Sequence, residues 1–475
     1  MNRELYEKVR DYVYSQEKNI VKDLFALCAI PSVKSAPIPH APFGKECRRA
    51  LDASVHLFQR NGFEAEVKGD GLYALASHGE GETSIGIFAH TDVVGVNDDW
   101  MYTAPFKPTR VGDTLIGRGI EDNKAGVVGA LYALKAIREC EIPVKHRLTV
   151  FLGSEEESGM QDIEAFVKNE AMPAVSFVPD NAYPLCVGEK SIARYWVRSA
   201  TALSTITGVE GGFAYNVILD NVTVTMRKSE VLYHEIAKLI EGREEFSLTL
   251  EEDCVRFTAR GVTAHASIPE CAKNALLLAF DVLKDVPVFS VNERKILSSA
   301  AEFIRNTDGS AMGIGIEDPV FGKLTAANGM AKMKDGNLYI SFDIRYGARQ
   351  DDAALLASLK ETCRNQGWKV EGFLLDKGAM VDPESPLIPA LGDVYRAVSG
   401  DEEAKPYLSG GGTYARKLVN AFSIGTAAPW KQVDALLPEG HGGAHQSDEA
   451  ISLPGLLDAI ALNVMMLIEG DALVD

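Results

Sequence analysis

Three short apolar runs constrain this chain more than anything else in it. They occupy residues 85–89, 148–152 and 175–178, and each stops abruptly at a polar cluster. Runs of this length fit strands buried on both faces and are too short for helices. Between the first two, Val127, Leu131, Leu134 and Ile137 recur at helical spacing. Helical patterns also cover residues 6–27, ended by Pro31, and 45–61. Strands alternating with helices predict a mostly parallel α/β sheet.

The middle of the chain breaks that rhythm. Segments 216–226, 246–261 and 338–346 are longer and partly alternating, the pattern of one-sided strands. Helical segments 272–284 and 352–364 lie between them. Beyond Pro383 the first pattern returns: a helix at 387–398, a glycine loop at 410–412, a strand at 421–425 and an amphipathic helix at 453–468. The expected organisation is a catalytic α/β domain in two pieces, 1–187 and 381–475, around an inserted α+β lid domain, 188–380.

Charge narrows the partners. The chain has 475 residues, with 48 Lys and Arg against 67 Asp and Glu, a net charge of −19. Such an acidic surface argues against broad binding to nucleic acid or to an anionic membrane. Seven widely spaced cysteines without a C-x-x-C pair suit a reducing compartment. The polar first ten residues do not read as a signal peptide, and no apolar run reaches the ~18 residues of a membrane span. A cytoplasmic location is the expectation.

Ligand sites of open α/β sheets lie beyond the carboxyl ends of the strands. The run at 85–89 leads into His90-Thr91-Asp92, and that at 148–152 into Glu155-Glu156-Glu157-Ser158-Gly159. The third leads to Asp180, and Gly117-Arg118-Gly119-Ile120-Glu121-Asp122-Asn123-Lys124 precedes a helix. Late in the chain stands His445-Gln446-Ser447-Asp448-Glu449. Alone, each has an ordinary explanation as a surface pair, a solvated turn or a helix cap. Gathered on one rim they would repel one another without a cation. Imidazole with carboxylate is the ligand set of zinc or a similar divalent metal.

The ordered pattern H-x-D, G-R-G-x-x-D-x-K, E-E-x-G, a strand-end Asp and H-x-x-D-E resembles the di-zinc exopeptidases. That family includes dipeptidase V, carnosinase, aminoacylase and desuccinylase enzymes. The likeness spans essentially the whole chain, and segment 411–416 looks closest to the dipeptidase V branch, the Xaa-His dipeptidases.

Position by position, the resemblance implies that His90 and Asp180 bind one zinc, that Glu157 and His445 bind the other, and that Asp122 bridges them. Manganese or cobalt could substitute. It implies that Asp92 orients His90, that Glu156 is the general base on a metal-activated bridging water, and that His265 steadies the oxyanion. Arg345 would take the substrate carboxylate, with Asn216 and the loop residues Gly411, Gly412, Thr413 and Arg416 as further substrate contacts. A cis peptide is expected at Asp122–Asn123. Glu155 stands just ahead of the Glu156–Glu157 pair, and His441 is a rival ligand to His445. The large insert implies a monomer acting with its own His265. The implied activity is hydrolysis of unblocked dipeptides. The alternatives are a deacylase of N-acyl amino acids and a metal-binding homologue without catalysis.

Overall fold

The computed structural model describes residues 2–474, which form two compact units: 2–188 with 380–474, and 189–379.

The first unit is built on an eight-stranded mixed sheet. Its centre consists of Arg147–Gly153, Ser84–His90, Val175–Asn181 and Ala421–Gly425, paired in parallel in that order. Glu64–Lys68 and Tyr73–His78 extend one side antiparallel. The three apolar runs of the sequence are three of these central strands. Their near-continuous hydrophobicity follows from burial on both faces. Ile85, Ile87 and Ala89 pack with Leu148, Val150 and Leu152 into the main core, under helices Lys124–Glu139 and Leu453–Leu473. The alternate residues Phe88 and Phe151 turn to the opposite face and stack at 5.3 Å, beside Phe166, Val178 and Tyr414.

Two sequence expectations change in detail. The pattern at 6–27 forms two helices, Arg3–Ser15 and Glu17–Cys28, separated at Gln16, which leaves helical geometry. The last helix is buried around most of its circumference rather than amphipathic. Its Asp458 is satisfied by Arg10, Tyr14 and Trp430, and its Asp471 by the backbone N–H groups of Lys145 and His146. Among the described residues, no helix is long and apolar enough to cross a membrane.

The second unit carries a nine-stranded antiparallel sheet. Its order runs Phe246–Leu250, Cys254–Arg260, Asn221–Arg227, Ile206–Gly211, Ala331–Lys334, Asn337–Tyr346, Ser191–Ser199 and Trp368–Asp376, with Thr325–Ala327 paired beside Asn337–Tyr346. The predicted strand at 246–261 is a hairpin, turning between Leu250 and Cys254. Inward residues such as Val222, Val224 and Met226 alternate with more exposed neighbours. Helices Glu230–Leu239, Ala275–Leu283, Val291–Arg305 and Asp352–Asn365 contribute apolar residues to the same core. Helix Val291–Arg305 was not foreseen. It is announced by a capping box, in which Ser290 and Glu293 satisfy each other's backbone N–H groups.

Candidate metal centre

The strand ends of the first unit deliver their polar residues to one place. His90 is the last residue of Ser84–His90, and Asp180 lies near the end of Val175–Asn181. Asp122 sits just ahead of helix Lys124–Glu139, and its peptide bond to Asn123 is cis. Glu156 and Glu157 lie in the turn after Arg147–Gly153, and His445 in a loop at positive φ.

Two groups of three ligand atoms result: His90, Asp122 and Asp180, and Asp122, Glu157 and His445. Asp122 belongs to both because its two oxygens diverge. Oδ1 lies 3.1 Å from His90 Nε2, and Oδ2 lies 3.0 Å from His445 Nε2. His445 Nε2 is also 3.0 Å from Glu157 Oε2, and His90 Nε2 is 3.7 Å from Asp180 Oδ2. On the far side of the His90 ring, Nδ1 lies 3.1 Å from the Asp92 carbonyl and 3.3 Å from its carboxylate, which fixes the ring with Nε2 toward the cluster.

The electrostatics suit a cation. Burial opposes a proton on His90, but Asp180, Asp122 and Asp92 outweigh it and hold its pKa well above the ordinary value. Asp122 and Glu157 push His445 up to about 11. Burial and Asp122 lift Glu157 to about 7 against the pull of His445. Burial and Asp180 raise Glu156 well above a normal carboxyl. Buried carboxylates this crowded need compensating positive charge. His90 Nε2, Glu156 Oε1 and Glu157 Oε1 are buried atoms that make no hydrogen bond. Two imidazoles and three carboxylates with such unclaimed atoms match the donor preferences of zinc and similar divalent metals.

Supporting residues hold the ligands. Glu155 turns away from the cluster, accepting from Lys34, Ser158 and the N–H of Gln161. Asp92 uses both oxygens on the next turn, accepting the N–H of Glu156 at 3.1 Å and of Glu157 at 3.2 Å. Asn123 enters the sequence reading only as the residue after the expected cis peptide. It is fully buried, receives the His90 N–H and donates to Pro179 and Asp180, tying two strand ends together. A side chain at Gly126 would meet the Asn123 amide at 2.4 Å. Glu449, only a motif letter in the sequence, gathers the N–H groups of Gly119, Glu121 and Asp122 and the guanidinium of Arg118. His441 belongs to neither group; its Nδ1 lies 2.7 Å from Asp448.

The glycine segment is packed tightly. The Gly411 N–H donates to Ser409, and Thr413 Oγ1 caps Ala415 at 3.1 Å. Arg416 is buried and donates to the Gly411 carbonyl, and its guanidinium fills the space a side chain at Gly412 would need. After the loop the chain makes one 3-10 turn, Tyr414–Lys417.

In the second unit, Asn216, His265 and Arg345 come together. The Asn216 carbonyl accepts the Ala266 N–H at 2.9 Å, and Val217 bridges to His265. His265 Nδ1 lies 2.7 Å from Ser267, and its Nε2 lies 3.5 Å from Arg345 Nη2. Buried Asp343 holds Arg345 on one oxygen and Arg194 on the other, each at 3.0 Å.

Comparison with known proteins agrees with this geometry. The model of peptidase family M20/M25/M40 matches residues 86–469. The chain belongs to this peptidase family. A "Putative dipeptidase" of Staphylococcus epidermidis is 28% identical, over 96% of this chain and 97% of the relative. Human carnosine dipeptidase 1 has the same fold at TM-score 0.57 and 16% identity, covering 98% of this chain and 100% of that one. The dipeptidase Dug1p of Saccharomyces cerevisiae matches at TM-score 0.59 and 12% identity, covering 98% of each. The motif resemblance and the α/β fold class are thus both correct, while the sheet expected to be mostly parallel is parallel at its centre and antiparallel at its edges.

Proposed function

We propose that this peptidase is a dipeptidase working with two divalent ions, zinc foremost, and acting on dipeptides with free ends. The observation that carries the reading is the split of Asp122, one oxygen toward His90 and the other toward His445. His90 and Asp180 would hold one ion, Glu157 and His445 the other, and Asp122 both. Such a pair, when bound, polarises the scissile carbonyl and makes water a stronger acid.

Glu156 is the general base. It is buried, its Oε1 makes no hydrogen bond, and burial and Asp180 hold its pKa above that of an ordinary carboxyl, which favours taking up a proton. It takes the proton of the attacking water and returns it to the leaving amine. Asp92 keeps the Glu156 backbone and the His90 ring in register. The roles assigned to the second unit are oxyanion support by His265 and grip on the substrate's terminal carboxylate by Arg345, whose fork Asp343 orients. Asn216 and the 411–416 segment, with Gly411, Gly412, Thr413 and Arg416, supply further substrate contacts.

The names of the relatives and the enlarged insert support dipeptides as substrates and a single chain as the working form. Among the described residues no disulfide joins any of the seven cysteines, which supports the reducing cytoplasm. The test is hydrolysis of free, N-acetylated and C-amidated dipeptides by metal-loaded and chelated enzyme. Turnover confined to free dipeptides, and lost on chelation, is expected. Turnover of N-acyl amino acids alone would make the chain a deacylase.

A further inference from the structure

The turn that carries Glu156 and Glu157 is held by two aspartates. Four successive backbone N–H groups, those of residues 154–157, each donate to one of two buried aspartates. Ser154 and Glu155 donate to Asp162 Oδ2 at 2.7 and 2.9 Å, and Glu156 and Glu157 donate to Asp92. Asp92 belongs to the His90 motif. Asp162 was singled out by no motif, lies in the first turn of helix Gln161–Asn169, and is completely buried.

Asp162 Oδ2 has a third donor, the Tyr414 hydroxyl. Tyr414 opens the 3-10 turn of the glycine segment and is also completely buried. Its ring meets Phe151 edge-on at 5.3 Å and the His90 imidazole edge-on at 6.2 Å. The hydroxyl is seated where only a glycine leaves room, since a side chain at Gly153 would come within 1.9 Å of it. One tyrosine therefore touches the metal-facing histidine with its ring and the anchor of the glutamate turn with its hydroxyl.

We propose that Asp162 and Tyr414 are positioning residues for this peptidase, holding the Glu156–Glu157 turn in its working geometry together with Asp92. This gives the Tyr414 position of the 411–416 segment a task separate from substrate contact. The inference rests on the reading of Glu156 as base and Glu157 as ligand. A displacement of about 1 Å in such a group costs on the order of 100-fold in rate. Loss of an outer support of a metal ligand typically costs about 10- to 100-fold in affinity or activity.

The experiment compares Tyr414→Phe, Asp162→Asn and Glu156→Gln with the parent in the full chain. It measures kcat and KM on a free dipeptide, zinc affinity by competition with a chromophoric chelator, and the thermal midpoint. Tyr414→Phe keeps the ring and is expected to fold even if Asp162→Asn does not. The expected result is a kcat at least about tenfold lower in Tyr414→Phe, KM within about twofold, and zinc affinity reduced about tenfold, with the midpoint nearly unchanged. Parental kcat and zinc affinity in Tyr414→Phe would overturn the proposal. So would a loss of kcat that merely tracks the unfolded fraction. Full activity in Glu156→Gln would remove the base assignment instead, and the zinc affinity of Tyr414→Phe would still decide the anchor.

Discussion

Glu449 accepts the backbone N–H of Asp122 at 3.0 Å, so the residue shared by both ligand groups is held by a carboxylate more than three hundred positions away. The same carboxylate neutralises Arg118 at 2.6 Å, and both side chains are at most 2% exposed. Glu449→Ala would leave a buried guanidinium without its partner, at a cost of about 3–5 kcal/mol. Urea denaturation should show that loss, and a change below about 1 kcal/mol would contradict this role.

Base and ligand separate experimentally. Glu156→Ala should lower kcat by about 100- to 10,000-fold while zinc stays bound. Asp180→Ala should lose metal as well as rate. Metal analysis beside steady-state kinetics distinguishes them, and a Glu156→Ala enzyme with most of its activity would exclude Glu156 as base.

Asp162 makes stability depend on pH in an unusual direction. Burial and then Asp92 lift it to about 6 from an ordinary 3.8, against the hydrogen bonds from Tyr414, Glu155 and Ser154. The folded chain thus binds this proton more tightly than the unfolded one. The contribution is full below about pH 4 and is lost as pH rises through about 6, at most about 3 kcal/mol. Urea midpoints from pH 4 to 7 should fall more steeply in the parent than in Asp162→Asn, where Glu156 and Glu157 still contribute a decline of the same sign. Parallel profiles for the two would contradict it.

The cysteines test the fold without reference to catalysis. Cys271 is exposed, whereas Cys28, Cys47 and Cys363 are buried, and burial pushes their thiols up to about 12. Alkylation of the native chain should label Cys271 first and leave those three untouched until unfolding. Early labelling of Cys28 or Cys363 would contradict the packing described.

The central strands and their polar ends were legible because parallel strands buried on both faces write themselves as apolar runs. His90, Asp122, Glu157, Asp180 and His445 were legible through family spacing, and all five fall within the two ligand groups. Asp162, Tyr414, Asn123 and Glu449 were not legible as supports. Asp162, Asn123 and Glu449 act largely on backbone N–H groups and carbonyls, which carry no residue signature, and Tyr414 reaches Asp162 with its hydroxyl across 252 positions. Helix Val291–Arg305 was lost in the same way, because tertiary packing outweighs its mixed composition.

The central claim is that Asp122 joins two metal sites. Its direct test is zinc content per chain after dialysis against buffered zinc, in the parent and in Asp122→Ala. The account predicts two zinc ions per chain in the parent and loss of both in the variant. A parent that binds one zinc, or a variant that keeps two, would contradict it.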